Sequence, residues 1–141
     1  MIRQLAIIGL AMGIISFSLT SAGANELEQQ MAIVAAEHWL HLVDNGNYAE
    51  SWKQAATYFK SAINRDDWKR TIKAVREPLG HVISRSIISQ QYTTTLPGAP
   101  DGKYVVIQYE TSFSNKRAAI ETITPMMDKE GKWYTSGYFI K

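Results

Sequence analysis

Two glutamates pose the first chemical question in this 141-residue sequence. Glu110 and Glu121 flank Ser114-Asn115-Lys116-Arg117, a segment with the composition of a tight hairpin. A two-residue loop at Asn115-Lys116 makes Ser114 face Arg117 and sets Glu110 directly opposite Glu121. Facing carboxylates repel, so the pattern predicts compensation: Arg85 or Arg76 arriving from an adjacent element, a shared proton, or a bound cation. In a concave pocket such a pair does general acid–base work or grips a cationic ligand. On a solvent face the same two side chains simply pair with Lys or Arg. Register decides between these readings, because a one-residue slip removes the pair altogether. Arg85, Glu110 and Glu121 are therefore the candidate ligand-binding residues, and no catalytic residue is assigned.

A second constellation is His38 and His41, at i and i+3, with Asp44 one turn further. They share a helix face, as metal ligands must, but the H-E-x-x-H spacing is missing and no metal is assigned. His81 follows Gly80 at a strand start, and no pattern places a Ser, Thr or Asp beside it; no G-x-S-x-G elbow occurs either. The run Gly98-Ala99-Pro100-Asp101-Gly102-Lys103 is one residue short of a phosphate loop. Tyr104 stands where Ser or Thr is needed, and a strand rather than a helix follows. As a turn, however, the stretch from Leu96 to Gly102 holds two Pro and two Gly and is stiffer than an ordinary connection. Pro97, Gly98, Pro100, Asp101 and Gly102 are the candidate recognition loop.

These residues need elements to hold them. From Glu26 to Asn45, Leu27, Met31, Val34, Ala35, Trp39 and Leu42 recur near every 3.6 positions, which predicts an amphipathic helix. Gly46 ends it, and Asn47 caps the next with Glu50 reaching back. Trp52, Ala56, Phe59 and Ile63 make one stripe of that second helix. A third runs from about Arg65 to Arg76, capped by Asn64 or Asp66, with Trp68, Ile72 and Val75 on one face, and Pro78 stops it. From His81 the pattern is β: His81–Thr95, Tyr104–Phe113, Ala118–Met127 and Trp133–Ile140, separated by turn-forming segments. Short hairpins make consecutive strands antiparallel neighbours. The expected fold is α+β, with three N-terminal helices packed on one face of a four-stranded antiparallel meander. That order is similar to the cone of cystatin-like and nuclear transport factor 2-like domains.

The ends and the charge bound the setting. Arg3 precedes an apolar run from Leu5 to Leu19, and Ser21-Ala22-Gly23-Ala24 precedes Asn25-Glu26. This is the layout of a secretory leader cut after Ala24, with an uncleaved anchor as the alternative. Residues 1–24 are thus read as a signal peptide and 25–141 as one α+β domain, periplasmic or secreted. There is no Cys, so no disulfide and no lipid-modified cysteine. Losing Arg3 lowers the formal net charge from +2 to +1, too little for a nucleic-acid partner. Lys69, Arg70, Lys73 and Arg76 read as a solvated helix face. Membrane association is expected only through an uncleaved leader.

The chain resembles a family of exported bacterial proteins, the domain of unknown function 4019. The resemblance rests on Trp39-Leu40, Asp44-x-Gly46, Tyr48-x-x-Ser51-Trp52, Arg76-x-Pro78-Leu79-Gly80 and Ser84-Arg85. It continues through Thr94 to Gly102 with Tyr104, Glu121-Thr122 and Trp133-x-x-x-Gly137-Tyr138. It implies no activity and carries over no catalytic residue. With core patterning strong and no nucleophile, metal spacing or cofactor motif, the expectation is a binding or interaction domain without catalysis and without cofactor. Its partner would be a small molecule or a periplasmic protein. The alternatives are a small pocket enzyme using Glu110, Glu121 and Arg85, or a structural or inhibitory module that binds protein through a sheet edge.

Overall fold

The computed structural model describes residues 21–141; the expected leader, apart from Ser21–Ala24, lies outside the described residues. Helix α1 runs Ser21–Asp44, α2 Tyr48–Lys53, α3 Thr57–Ala62 and α4 Arg65–Arg76, followed by a single 3₁₀ turn, Glu77–Leu79. Strands β1 (Val82–Thr93), β2 (Tyr104–Phe113), β3 (Lys116–Met127) and β4 (Trp133–Ile140) form one open antiparallel sheet in sequential order. The fold is α+β with four helices. No helix among the described residues is long and apolar enough to cross a membrane.

The helices depart from expectation in three informative ways. On α1 the buried face is Ala32, Ile33, Ala36, Trp39, Leu40 and Val43, whereas Leu27, Met31 and Val34 are 60, 48 and 66% exposed. Both sets have helical spacing; the inward one includes alanines, which let the helix approach the sheet closely and give only a weak hydropathy signal. The expected second helix is two. Its continuity breaks at Ala56, whose N–H turns to the Thr135 carbonyl of β4 at 2.8 Å. Asn47 makes no side-chain cap, and Glu50 accepts a bond from Gln54 instead. On α4, Asn64 caps the Asp67 N–H as expected, and Trp68 and Ile72 are buried. Val75, however, is 42% exposed, and Arg76 takes the inward position with 4% exposure.

Trp39, Phe59, Trp68 and Tyr138 pack edge-on or tilted at centroid distances of 4.9 to 6.2 Å. Ser51 organises this cluster. Its carbonyl accepts from Trp39 Nε1 at 2.8 Å and its hydroxyl from Trp68 Nε1 at 2.9 Å. Behind it lie Ile107, Tyr109 and Ile123 of the sheet.

The β2–β3 register differs by one residue from the sequence reading. The loop is Ser114-Asn115, closed by Phe113 opposite Lys116, and an irregularity between Thr111 and Phe113 shifts the ladder once more. Tyr109 consequently faces Glu121, and Glu110 faces Ile120. The tip is held from outside the hairpin. Ser114 N–H donates to the His81 carbonyl at 2.8 Å, Asn115 N–H to Leu79 at 2.9 Å, and Asn115 Nδ2 to Pro78 at 3.1 Å.

Candidate functional site

The one-residue shift separates the two glutamates. Glu110 is exposed and faces Ser86 on β1, so the expected carboxylate pair does not form. Glu121 points the other way and is completely buried. Arg85 meets it with two nitrogens, Nε at 2.7 Å and Nη2 at 3.2 Å. The same guanidinium reaches Asp44 with Nη1 and Nη2, at 2.8 and 2.9 Å. Arg76 adds a 2.7 Å bond to Asp44, and its guanidinium lies 5.0 Å from the centre of the Phe113 ring. Thr111 Oγ1 and Tyr138 Oη donate to the Glu121 carboxylate. Two arginines and two carboxylates thus share one low-dielectric site with formal neutrality. Burial of charge is costly, and this mutual pairing offsets it.

The electrostatics follow from the geometry. Burial pushes the Asp44 carboxyl upward, but hydrogen bonds and charge from Arg85 and Arg76 outweigh it and hold the group below its ordinary value of 3.8. Burial raises the Tyr138 phenol well above the usual tyrosine range, and the negative charge of Glu121 adds to that. Tyr109 is pushed up to about 12, chiefly by burial. Asp44, expected beside His38 and His41, is committed to the arginines. His38 Nε2 lies 3.0 Å from Gln54 Oε1, and His41 Nε2 lies 3.1 Å from Asn45 Nδ2. No group of three or more metal-ligating side chains occurs among the described residues. His81 is exposed just before β1, and its backbone N–H donates to Ser114 Oγ at 3.1 Å. Asp44, Arg85 and Glu121 are committed to one another, whereas Arg76 Nε and Nη1 and Tyr109 Oη are buried without a hydrogen-bond partner among the described residues.

Open space lies elsewhere. A groove of about 800 Å³ runs between the α2–α3 segment, the β3–β4 turn and the Pro/Gly loop. Ala55, Ala56 and Tyr58 form one wall, and Met126, Met127 and Tyr134 the other. Asp101 also lines it, so the expected recognition loop contributes one of its residues to this space. The loop is braced at several points. Tyr58 Oη donates to the Gly98 carbonyl at 3.0 Å and Tyr104 Oη to Pro100 at 2.5 Å. Gly102 N–H donates to Thr94 at 3.0 Å, and Gly98 takes a φ of +76°, which suits glycine. Pro97 is exposed and lies outside the groove lining.

Charge around the groove is unevenly committed. Asp128 Oδ1 accepts the N–H groups of Glu130 and Lys132, each at 2.9 Å, and Glu130 lies 3.9 Å from Lys132 Nζ. Lys60 Nζ donates to the Lys53 carbonyl at 3.2 Å and sits 5.9 Å from the Trp52 ring centre. Lys53, Lys129 and Asp101 form no ion pair among the described residues. Sequence reasoning did not single out Lys53, Tyr58, Lys129 or Tyr134, because nothing short of the folded chain brings segments 53–60, 101 and 126–134 together.

Residues 35–138 match a family model described as "Protein of unknown function (DUF4019)". The chain belongs to this family. Comparison with curated proteins and with solved structures gave no match. Some of the residues that carry the resemblance to the family meet in the two places described above. Asp44, Arg76, Arg85, Glu121 and Tyr138 meet in the buried ionic network. Thr94 to Gly102, with Tyr104, forms the braced loop at the end of the groove. In the sequence Arg76 is marked as a compensating charge for the glutamates, whereas Asp44 enters only beside His38 and His41 and in the family resemblance, and Tyr138 only in that resemblance.

Proposed function

We propose that this protein is an exported binding domain without catalytic activity, periplasmic or secreted, and that its ligand occupies the groove beside the Pro/Gly loop. The observation that carries the reading is the groove itself. At about 800 Å³ it has the size of a small-molecule site. Its wall is half-buried Met and Tyr, and its end is a loop already held by Tyr58 and Tyr104. A braced loop has little freedom left to lose on binding, which favours recognition. Export is supported by the basic start, apolar run and small residues of positions 1–24. The cystatin-like and nuclear transport factor 2-like cone, with the helices on one face of the sheet, is supported by Trp39 against Tyr138 and Gln29 against Gln90.

The pocket-enzyme reading is set aside, because Glu110 and Glu121 lie on opposite faces and Glu121 is fully engaged.

The test is a fragment screen followed by NMR of methionine methyl groups, since Met126 and Met127 line the groove. Fragments should shift those two signals, and Thr57→Trp, at the exposed rim, should suppress the shifts. If no fragment moves either methyl, the groove is not a binding site. Export is tested separately, by the mass of the protein recovered from outside the cytoplasm: a chain beginning at Asn25 is expected, and retention of the intact chain in the cytoplasm contradicts it.

A further inference from the structure

We infer that the groove selects an organic anion with an apolar body, an amphiphilic carboxylate or its equivalent; this rests on the groove being the binding site. The apolar half of the recognition lies in Met126, Met127, Tyr58 and Tyr134, all half-buried and lining the space. Thioethers and phenol rings accept flat or chain-like carbon skeletons because they are polarisable and, for Met, adaptable.

The sign of the charge follows from which rim groups are already engaged. Of the three acids at the rim, Asp128 is bound by two backbone N–H groups, and Glu130 has Lys132 beside it. Among the described residues, Asp101 is the one of the three left without a partner. Of the three amines, Lys60 is held at the Lys53 carbonyl, which leaves Lys53 and Lys129. Two uncommitted amines therefore stand against one uncommitted carboxylate. The amines come from different walls, Lys53 from the end of α2 and Lys129 from the β3–β4 turn. A bound anion takes a charge-assisted contact from either side, whereas a bound cation has one unpartnered carboxylate, Asp101. Exposed charge pairs each contribute about 0.2–1 kcal/mol, so two of them give a preference of roughly two- to thirty-fold.

The experiment compares three probes of one shape: 2-naphthoate, 2-naphthylmethanol and 2-naphthylmethylammonium. Each is titrated into the protein with its methionine methyls labelled. Naphthoate should shift Met126 and Met127 and bind roughly two- to thirty-fold more tightly than the alcohol, with the ammonium weakest. The Lys53→Ala/Lys129→Ala protein, altered only at exposed positions, should bind naphthoate no better than the alcohol while holding the alcohol as before. If the alcohol or the ammonium binds as tightly as naphthoate, the anion preference is wrong and the groove reading stands. The same conclusion follows if the double variant keeps the preference. If none of the three moves the two methyls while other fragments do, the proposed ligand class is wrong; if nothing moves them, both readings fall together.

Discussion

Arg85 grips Glu121 with two nitrogens, Nε at 2.7 Å and Nη2 at 3.2 Å, at a point where the carboxylate has no contact with water. That bond joins the edge strand β1 to β3 across the intervening β2, and through Asp44 it extends to the end of α1. A buried pair contributes little when compared with apolar residues of the same size, but removing one member leaves the other charged in a poor solvent.

Glu121→Gln should therefore lower stability by about 3 kcal/mol in urea unfolding. An uncompensated pair of facing glutamates would give the opposite sign, a gain on neutralisation. Glu110→Gln, at an exposed position, should be close to neutral. A stable Glu121→Gln protein would mean that Arg85 is adequately satisfied by Asp44.

The acid limb should bear the mark of Asp44. Its folded value lies below the ordinary 3.8, so the unfolded chain takes up this proton first as pH falls. The associated stability is present above about pH 4 and drains away as pH drops through the folded value. Asp44→Asn, less stable at neutral pH, should show a shallower loss over that acid range. Urea midpoints between pH 2 and pH 6 supply the comparison, and parallel curves for the two proteins would contradict it.

On the alkaline side, Tyr109 ionises only near 12, because burial disfavours its phenolate. The unfolded chain gives up that proton near 10. The stabilisation is thus complete below pH 10 and is lost between about 10 and 12. An ultraviolet titration of phenolate should show Tyr109 among the last tyrosines to ionise, and Tyr109→Phe should remove a late step. If the variant loses an early step instead, the phenol is accessible.

Gly80 adopts a φ of +78°, and a Cβ there would overlap Ser114 Oγ. Gly80→Ala should cost about 2 kcal/mol from backbone strain alone, with the displaced hairpin tip adding to it. Combining it with Ser114→Gly should recover part of that loss. Strict additivity of the two changes would show that the clash is relieved by some other movement.

The strands and α4 were legible in the sequence because their signals are local. Alternation marks Val105, Ile107 and Tyr109, and Asn64 lies three residues before Asp67, whose N–H it caps. Register was not, because the tip is set by bonds from Pro78, Leu79 and His81, far upstream of the hairpin. The inward face of α1 was misjudged for a different reason. Leu27, Met31 and Val34 outscore Ala32 and Ala36 in hydropathy, yet close packing against a sheet favours the smaller side chains. Arg76 has the sequence signature of a solvated face as well as of a charge that could compensate the glutamates, and its burial against Asp44, 32 positions away, leaves no local trace. The loop could be read as rigid from its Pro and Gly, but not its place at the end of a groove.

The spacing of the network's members along the chain also has a temporal meaning. Asp44, Arg76 and Arg85 leave the ribosome well before Glu121 and Tyr138. Until β3 arrives, two guanidinium groups have a single carboxylate between them, so a partly made chain has no reason to bury them. Closure over such long separations is slow and comes late in folding. The nascent domain should accordingly stay open to chaperones and proteases until β3 and β4 have both emerged.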